Sequence, residues 1–132
     1  MDKVIIELNE KQARIVLAAV EEWFRLRMGQ DRELSDGLAF MGYRNDKEHP
    51  ERFNATIRKR DSIRAVMQAV FRIAWPHYGA PTEVDPEVHV ASDIWSQLRW
   101  ELSEKDSIMS TPFQMGPEPM PKITVVKDAK SD

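Results

Sequence analysis

Helix punctuation constrains this chain more than any other feature of its sequence. Asn9 stands where a helix N-cap belongs, and Gln12 follows three residues later in capping-box spacing. Gly29 is a natural stop, because helices often end on a residue at positive φ. This spacing predicts a long helix from about Glu10 to Met28. A second, shorter helix is expected over residues 32–41, weakened by Gly37, and the polar residues 42–50 read as a loop. The next helix should start near Glu51 and end at Trp75, since Pro76 has no backbone donor to continue it. Residues 76–86 hold three prolines and a glycine and read as a loop. Ser92 or Asp93 is placed to cap a third long helix that runs to about Lys105, and residues 107–121, with four prolines, should be extended.

Three short runs carry β-branched residues. Residues 4–8 (VIIEL) suit a strand, residues 88–90 a brief one, and residues 123–126 (ITVV) a partner for the first. The expected fold class is therefore α+β: three main helices packed on a small antiparallel sheet formed by the N- and C-terminal strands. The chain's 132 residues suit one domain, expected over residues 1–126, with a disordered tail at 127–132. Two short strands alone are marginal in water, so the expectation includes further strands from the loops or from a second subunit.

Composition narrows the function. With 42% hydrophobic and 31% charged residues, wholesale disorder is excluded. The 22 acidic and 19 basic side chains give a net charge of −3, which argues against a general polynucleotide binder. There is no cysteine, so disulfides, thiolate catalysis and cysteine-ligated metals are excluded. The start of the sequence lacks the charge pattern and apolar run of a signal peptide, and no stretch reaches the ~20 apolar residues that cross a bilayer. A cytoplasmic protein with no membrane partner is expected.

The arginines are the most informative residues. On a helical wheel, Ala13, Val16, Leu17, Val20, Trp23, Phe24 and Met28 share one arc, and Arg27 falls near its centre. A guanidinium there must snorkel, pair with an acid or hold an anion. Along the next helix, Phe53, Ile63, Met67, Val70, Phe71 and Ala74 form the apolar arc, with Arg60 inside it and Arg64 on its edge. Residues 58–72 carry five basic side chains and one acid, Asp61. In the third long helix Ile94, Trp95, Leu98 and Leu102 share a face, Arg99 flanks Trp95, and Trp100 lies opposite, which hints at a second buried surface and so at an oligomer. Two readings stand. The arginines are interfacial ion pairs with acids of a neighbouring helix or subunit, or they line one pocket in which guanidinium forks grip phosphate and aromatic rings stack on a base.

Catalytic and metal signatures are missing. The five glycines form no phosphate-cradling loop. His49, His77 and His89 fall in predicted loops without metal spacing, the adjacent Glu21 and Glu22 read as a solvated face, and no nucleophile constellation is present. A binding protein that is not an enzyme, with no cofactor and no metal, is the expectation. The seven methionines and four tryptophans read mainly as core filling. The proline-rich residues 112–123 read as an extended arm.

Residues 8–30 (LNEKQARIVLAAVEEWFRLRMGQ), with the runs RKRD at 58–61, DIWSQLR at 93–99 and EPMPKI at 118–123, resemble the Thoeris anti-defence 1 family of small bacteriophage proteins. The resemblance implies a protein that captures a cyclic ADP-ribose type signal without cleaving it, in the host cell cytosol. That would silence Thoeris-type bacterial immunity. It further implies a homo-oligomer, a dimer or a dimer-based ring, with the pocket between subunits and in some members a second site for cyclic oligonucleotides. Carried onto this sequence, the ligand contacts fall on Met28, Arg32, Arg60 or Arg64, and Arg99. Arg27 joins them from its place on the wheel, and Phe24, Tyr78 or Phe113 would stack on the base. Arg27, the Trp23–Phe24 pair and the loop at 76–86 depart from the family pattern. A small protein-interaction module or inhibitor docking on a host protein is the alternative, and a polynucleotide binder using residues 58–72 is third.

Overall fold

The Asn9 cap forms as its spacing predicts: Gln12 N–H donates to Asn9 Oδ1 at 2.8 Å, and Asn9 N–H donates to Gln12 Oε1 at 3.0 Å. Two donors that a helix start leaves unsatisfied are thereby met reciprocally. The helix they open, α1 (Glu10–Arg27), ends on Gly29 at φ 77°. Gln30 N–H donates to Arg25 O at 2.9 Å and Gly29 N–H to Leu26 O at 3.1 Å, the paired bonds of a Schellman stop. A Cβ on Gly29 would stand 3.3 Å from Pro81 Cδ, so both the backbone angle and the close approach require glycine there.

The computed structural model describes residues 2–103 and 111–126. Three helices follow α1: α2 (Arg32–Ala39), α3 (Pro50–Ala74) and α4 (Pro86–Leu102). Each of α3 and α4 begins on proline, whose fixed φ suits the first helical position and whose missing N–H is not needed there. The backbone of Trp75 closes α3 by donating to Phe71 O, and Pro76 ends it as expected. No helix of the described residues is long and apolar enough to cross a membrane.

The expected α+β fold is overturned: among the described residues the chain is all-helical, with no strand. Residues 2–9 and 119–126 have no regular secondary structure, and the sheet expected between the chain ends does not form. Two four- to five-residue strands offer too few ladder bonds and too little buried face to hold a sheet in water. The brief strand expected at residues 88–90 is also absent. Those residues lie in the first turns of α4, where Val88 is among the most buried side chains. The Pro86 start and Glu87 in the first turn outweigh the β-branched preference of Val88 and Val90. Asp93, expected as a cap, is instead inside α4. The disordered tail expected at residues 127–132 lies outside the described residues, as does part of the proline-rich stretch.

The chain divides into two compact units, and the division falls within α1. One unit joins Met1–Glu21 with Pro86–Asp132. Its organising contact is Asp93, only 2% exposed, whose two carboxylate oxygens accept the backbone N–H groups of Met115 at 2.7 Å and Gly116 at 2.9 Å. Gly116 is needed at this crossing, because a Cβ there would meet Val90 N at 2.8 Å. The expected arm thus exists, and one carboxylate ties it to α4. The other unit, Glu22–Asp85, packs α2 on α3. The buried hydrophobic residues are Ala13, Phe24, Ala39, Phe71, Val88 and Leu98.

Replacing Gly29 with alanine should lower stability by about 1–2 kcal/mol, the cost of a left-handed L-residue, read as a shift of the denaturant midpoint. Asp93→Ala should cost about 2–4 kcal/mol, since it strands two amide donors. Hydrogen exchange at the Met115 and Gly116 amides should accelerate in that variant while exchange within α3 stays unchanged.

Candidate functional site

Asp31 is the centre of the Glu22–Asp85 unit. It follows the Gly29 turn, stands at the N-cap of α2 and is 3% exposed. Its Oδ2 accepts the Ser35 hydroxyl at 2.6 Å and its Oδ1 accepts a Gln68 amide N–H at 3.1 Å. Arg64 Nε lies 3.4 Å from Oδ2. A carboxylate withdrawn from water needs donors and an opposite charge, and α3 supplies both from residues one turn apart, Arg64 and Gln68.

A second carboxylate of α2 gathers two more arginines. Arg32 Nε stands 3.6 Å and Arg60 Nε 3.9 Å from Asp36. Arg60 also donates from Nε and Nη2 to its neighbour Asp61, at 3.2 and 3.1 Å. A third contact ties the end of α1 to α2: Arg25 Nε lies 3.3 Å from Glu33, and Arg25 Nη1 donates to Gln30 Oε1 at 2.8 Å. The faces of α2 and α3 are therefore stitched by acid–arginine contacts, and the Arg60 and Arg64 guanidinium groups already hold carboxylates. Of the two readings of the arginines, the interhelical ion pair describes both.

Arg27 takes a third course. Its guanidinium carbon lies 3.9 Å from the centroid of the Trp23 ring, and Nη1 donates to Trp23 O at 3.1 Å. The side chain snorkels along its own helix to the surface, so the wheel position near the apolar centre does not bury it. Met28, half-buried, follows at the helix stop. Arg32 begins α2 with its side chain 80% exposed. Beyond α3, Tyr78 is exposed at φ 62° and meets His77 edge-on at 4.3 Å. Phe40, Tyr43 and Phe53 form an aromatic cluster with centroids 5.4–6.3 Å apart, and Phe53 and the neighbouring Met41 are exposed.

The remaining expected site residues belong to the other unit. Arg99 lies with its guanidinium carbon 5.0 Å from the Trp95 ring centroid, and Phe113 is an exposed residue of the arm. Of the rings considered for base stacking, Tyr78 and Phe113 are exposed, whereas Phe24 is buried in the core and has no face to offer. His89 lies in α4 and not in a loop. Among the described residues no group of three or more histidine or acidic side chains is placed to hold a metal ion.

Sequence reasoning missed Asp31, Asp36 and Glu33, the acids that engage the arginines. Their sequence mark is weak: Asp31 precedes a helix, and Ser35 and Asp36 lie four and five positions on. Their partners on α3 are remote in the chain, Gln68 being 37 positions from Asp31.

Comparison with known protein families, with curated proteins and with solved structures finds no match to this chain. The site is thus described by its own chemistry: a charge-neutralised seam between α2 and α3 that includes the exposed Arg32, and, at the end of α1, the Arg27–Trp23 stack.

Removing Arg64 should destabilise the protein in addition to any effect on binding. Arg64→Ala should cost about 1–2 kcal/mol, discounted because the guanidinium is half-exposed while Asp31 is not. The loss is read from urea midpoints, and raising the salt concentration should shrink the difference between the two proteins only slightly.

Proposed function

We propose that this chain is a non-catalytic binding protein that holds a cyclic ADP-ribose type signalling nucleotide intact, acting in the host cell cytosol against Thoeris-type immunity. The family resemblance supplies the ligand class. The observation that carries the reading is the Arg27–Trp23 stack beside the Gly29 turn. A guanidinium laid on an indole keeps the N–H donors on its outer edge directed at solvent, where they match a phosphate fork. Among the described residues Arg27 has no carboxylate within ion-pair distance, unlike Arg60 and Arg64. Arg32, exposed and only loosely paired, is the second donor, with Met28 between them in sequence as apolar contact. Arg60 and Arg64 act on this reading by fixing α2, not by gripping the phosphates themselves.

The aromatic cluster of Phe40, Tyr43 and the exposed Phe53 favours a second reading, a module that docks on another protein, because aromatic side chains are enriched in binding hot spots.

Purified protein is mixed with cyclic ADP-ribose, freed of unbound nucleotide, denatured by heat, and the released material identified by mass spectrometry. Intact ligand is expected in the released fraction. Arg27→Ala and Arg32→Ala should each weaken retention about tenfold, with unchanged circular dichroism. Failure to retain the nucleotide, or release of a cleaved product, overturns the reading. A stoichiometric protein partner lost on Phe53→Ala, with no nucleotide bound, establishes the second one instead.

A further inference from the structure

Helix α3 carries an apolar face on its outer side. Val66, Val70 and Ile73 are 64%, 45% and 82% exposed, and the exposed Ala69 lies among them. On the helical wheel these four share an arc of about 100°, on the side away from the buried Phe71 and from Gln68, which bonds Asp31. The steps of four and three residues from Val66 to Val70 to Ile73 are those by which one helix seats a second along its length. Ser62 continues the stripe, and its hydroxyl donates to Arg58 O at 3.0 Å, so covering it strands no donor.

The charges around this face select the kind of helix. Residues 62–75 contain no acid, and the stripe is flanked by Arg58 and Lys59 at its start and by Arg72 at its end. All three are exposed, and among the described residues none has a carboxylate within ion-pair distance. The neighbouring acid, Asp61, is held by Arg60. These three cations thus differ from Arg60 and Arg64, which carboxylates already engage. A second copy of the same face is a poor occupant. Antiparallel, it sets Arg72 against Arg58 and Lys59; parallel, it sets each cation against its twin. A nucleic-acid backbone answers the cations but leaves Val66, Val70 and Ile73 facing water.

We propose that the outer face of α3 docks an amphipathic helix of another protein, with an apolar stripe over Val66, Val70 and Ile73 and acidic side chains at both ends to meet Arg58, Lys59 and Arg72. From Lys59 to Arg72 the face runs about 20 Å, so about four turns of partner helix cover it. Phe53 lies on another side of α3, and this inference stands or falls separately from the nucleotide reading.

Fluorescence anisotropy with two labelled helical peptides of about 18 residues tests it. Both repeat leucine at steps of three and four; one carries glutamate at the flanking positions and the other lysine. The full chain should bind the glutamate peptide, and the lysine peptide about tenfold more weakly. Val66→Asp and Ile73→Asp, at exposed positions, should each weaken the glutamate peptide about tenfold with unchanged circular dichroism. The double variant Lys59→Glu/Arg72→Glu should reverse the preference between the peptides, and Phe53→Ala should leave it as it was. Binding of neither peptide overturns the proposal. So does equal binding of both, a glutamate peptide indifferent to Val66→Asp and Ile73→Asp, or one lost on Phe53→Ala. Association with anionic lipid vesicles in place of the peptide, abolished by Ile73→Asp, assigns the face to a membrane surface and overturns it as well.

Discussion

A carboxylate taken out of water costs several kcal/mol unless donors and a cation meet it, and each unit of this protein is organised around one such group. Asp31 gathers Ser35, Gln68 and Arg64, and so fixes how the start of α2 lies on α3. Asp93 gathers the amides of Met115 and Gly116, and so fixes where the arm crosses α4. The two solutions differ in kind. Asp31 is met by side chains, among them a guanidinium, whereas the contacts to Asp93 are backbone N–H groups of a glycine-containing turn. In both cases an apolar contact of equal area would have left the partner free to slide. Directional bonds to a buried charge do not allow that, which is how short helices and an irregular arm acquire defined positions.

What could be read from the sequence was local. The Asn9–Gln12 box, the Gly29 stop and the Pro76 end all depend on residues within one or two turns of each other, and each appears as its spacing implies. The sheet failed because β-branched preference describes how a residue fits a pleated surface that already exists. Val4, Ile5 and Ile6 have no such surface within the described chain, while Val88 was drawn into α4 by the proline and acid that precede it. A helix starting on Pro86 was hidden because three prolines close together read as a loop, although proline at a first helical position is favourable.

The arginines show the same division between local and remote. The wheel set Arg27 near the centre of an apolar arc, Arg60 inside one and Arg64 on its edge, whereas Arg27 is exposed in the structure. It did not say how each would be satisfied. Arg27 uses the indole one turn back, a neighbour visible in sequence, and Arg60 uses the adjacent Asp61. Arg64 needs Asp31, which only the packing of α2 on α3 brings near. The fork-and-ring chemistry inferred for a ligand is the chemistry the chain also uses to hold itself together.

That double use bears on the anion site proposed for the Glu22–Asp85 unit. At an effective dielectric near 20, a unit charge 4 Å away contributes about 4 kcal/mol, attractive from a guanidinium and repulsive from a carboxylate. A phosphate approaching Arg64 meets Asp31 at nearly the same distance, so the two contributions largely cancel, and one approaching Arg60 meets Asp36 and Asp61. Displacing either acid would return an uncompensated charge to the seam. No such cancellation operates at Arg27, whose partner is a neutral ring with its negative face turned to the cation. The arginines of α3 that meet these acids, Arg60 and Arg64, are thus engaged first in holding α2 on α3.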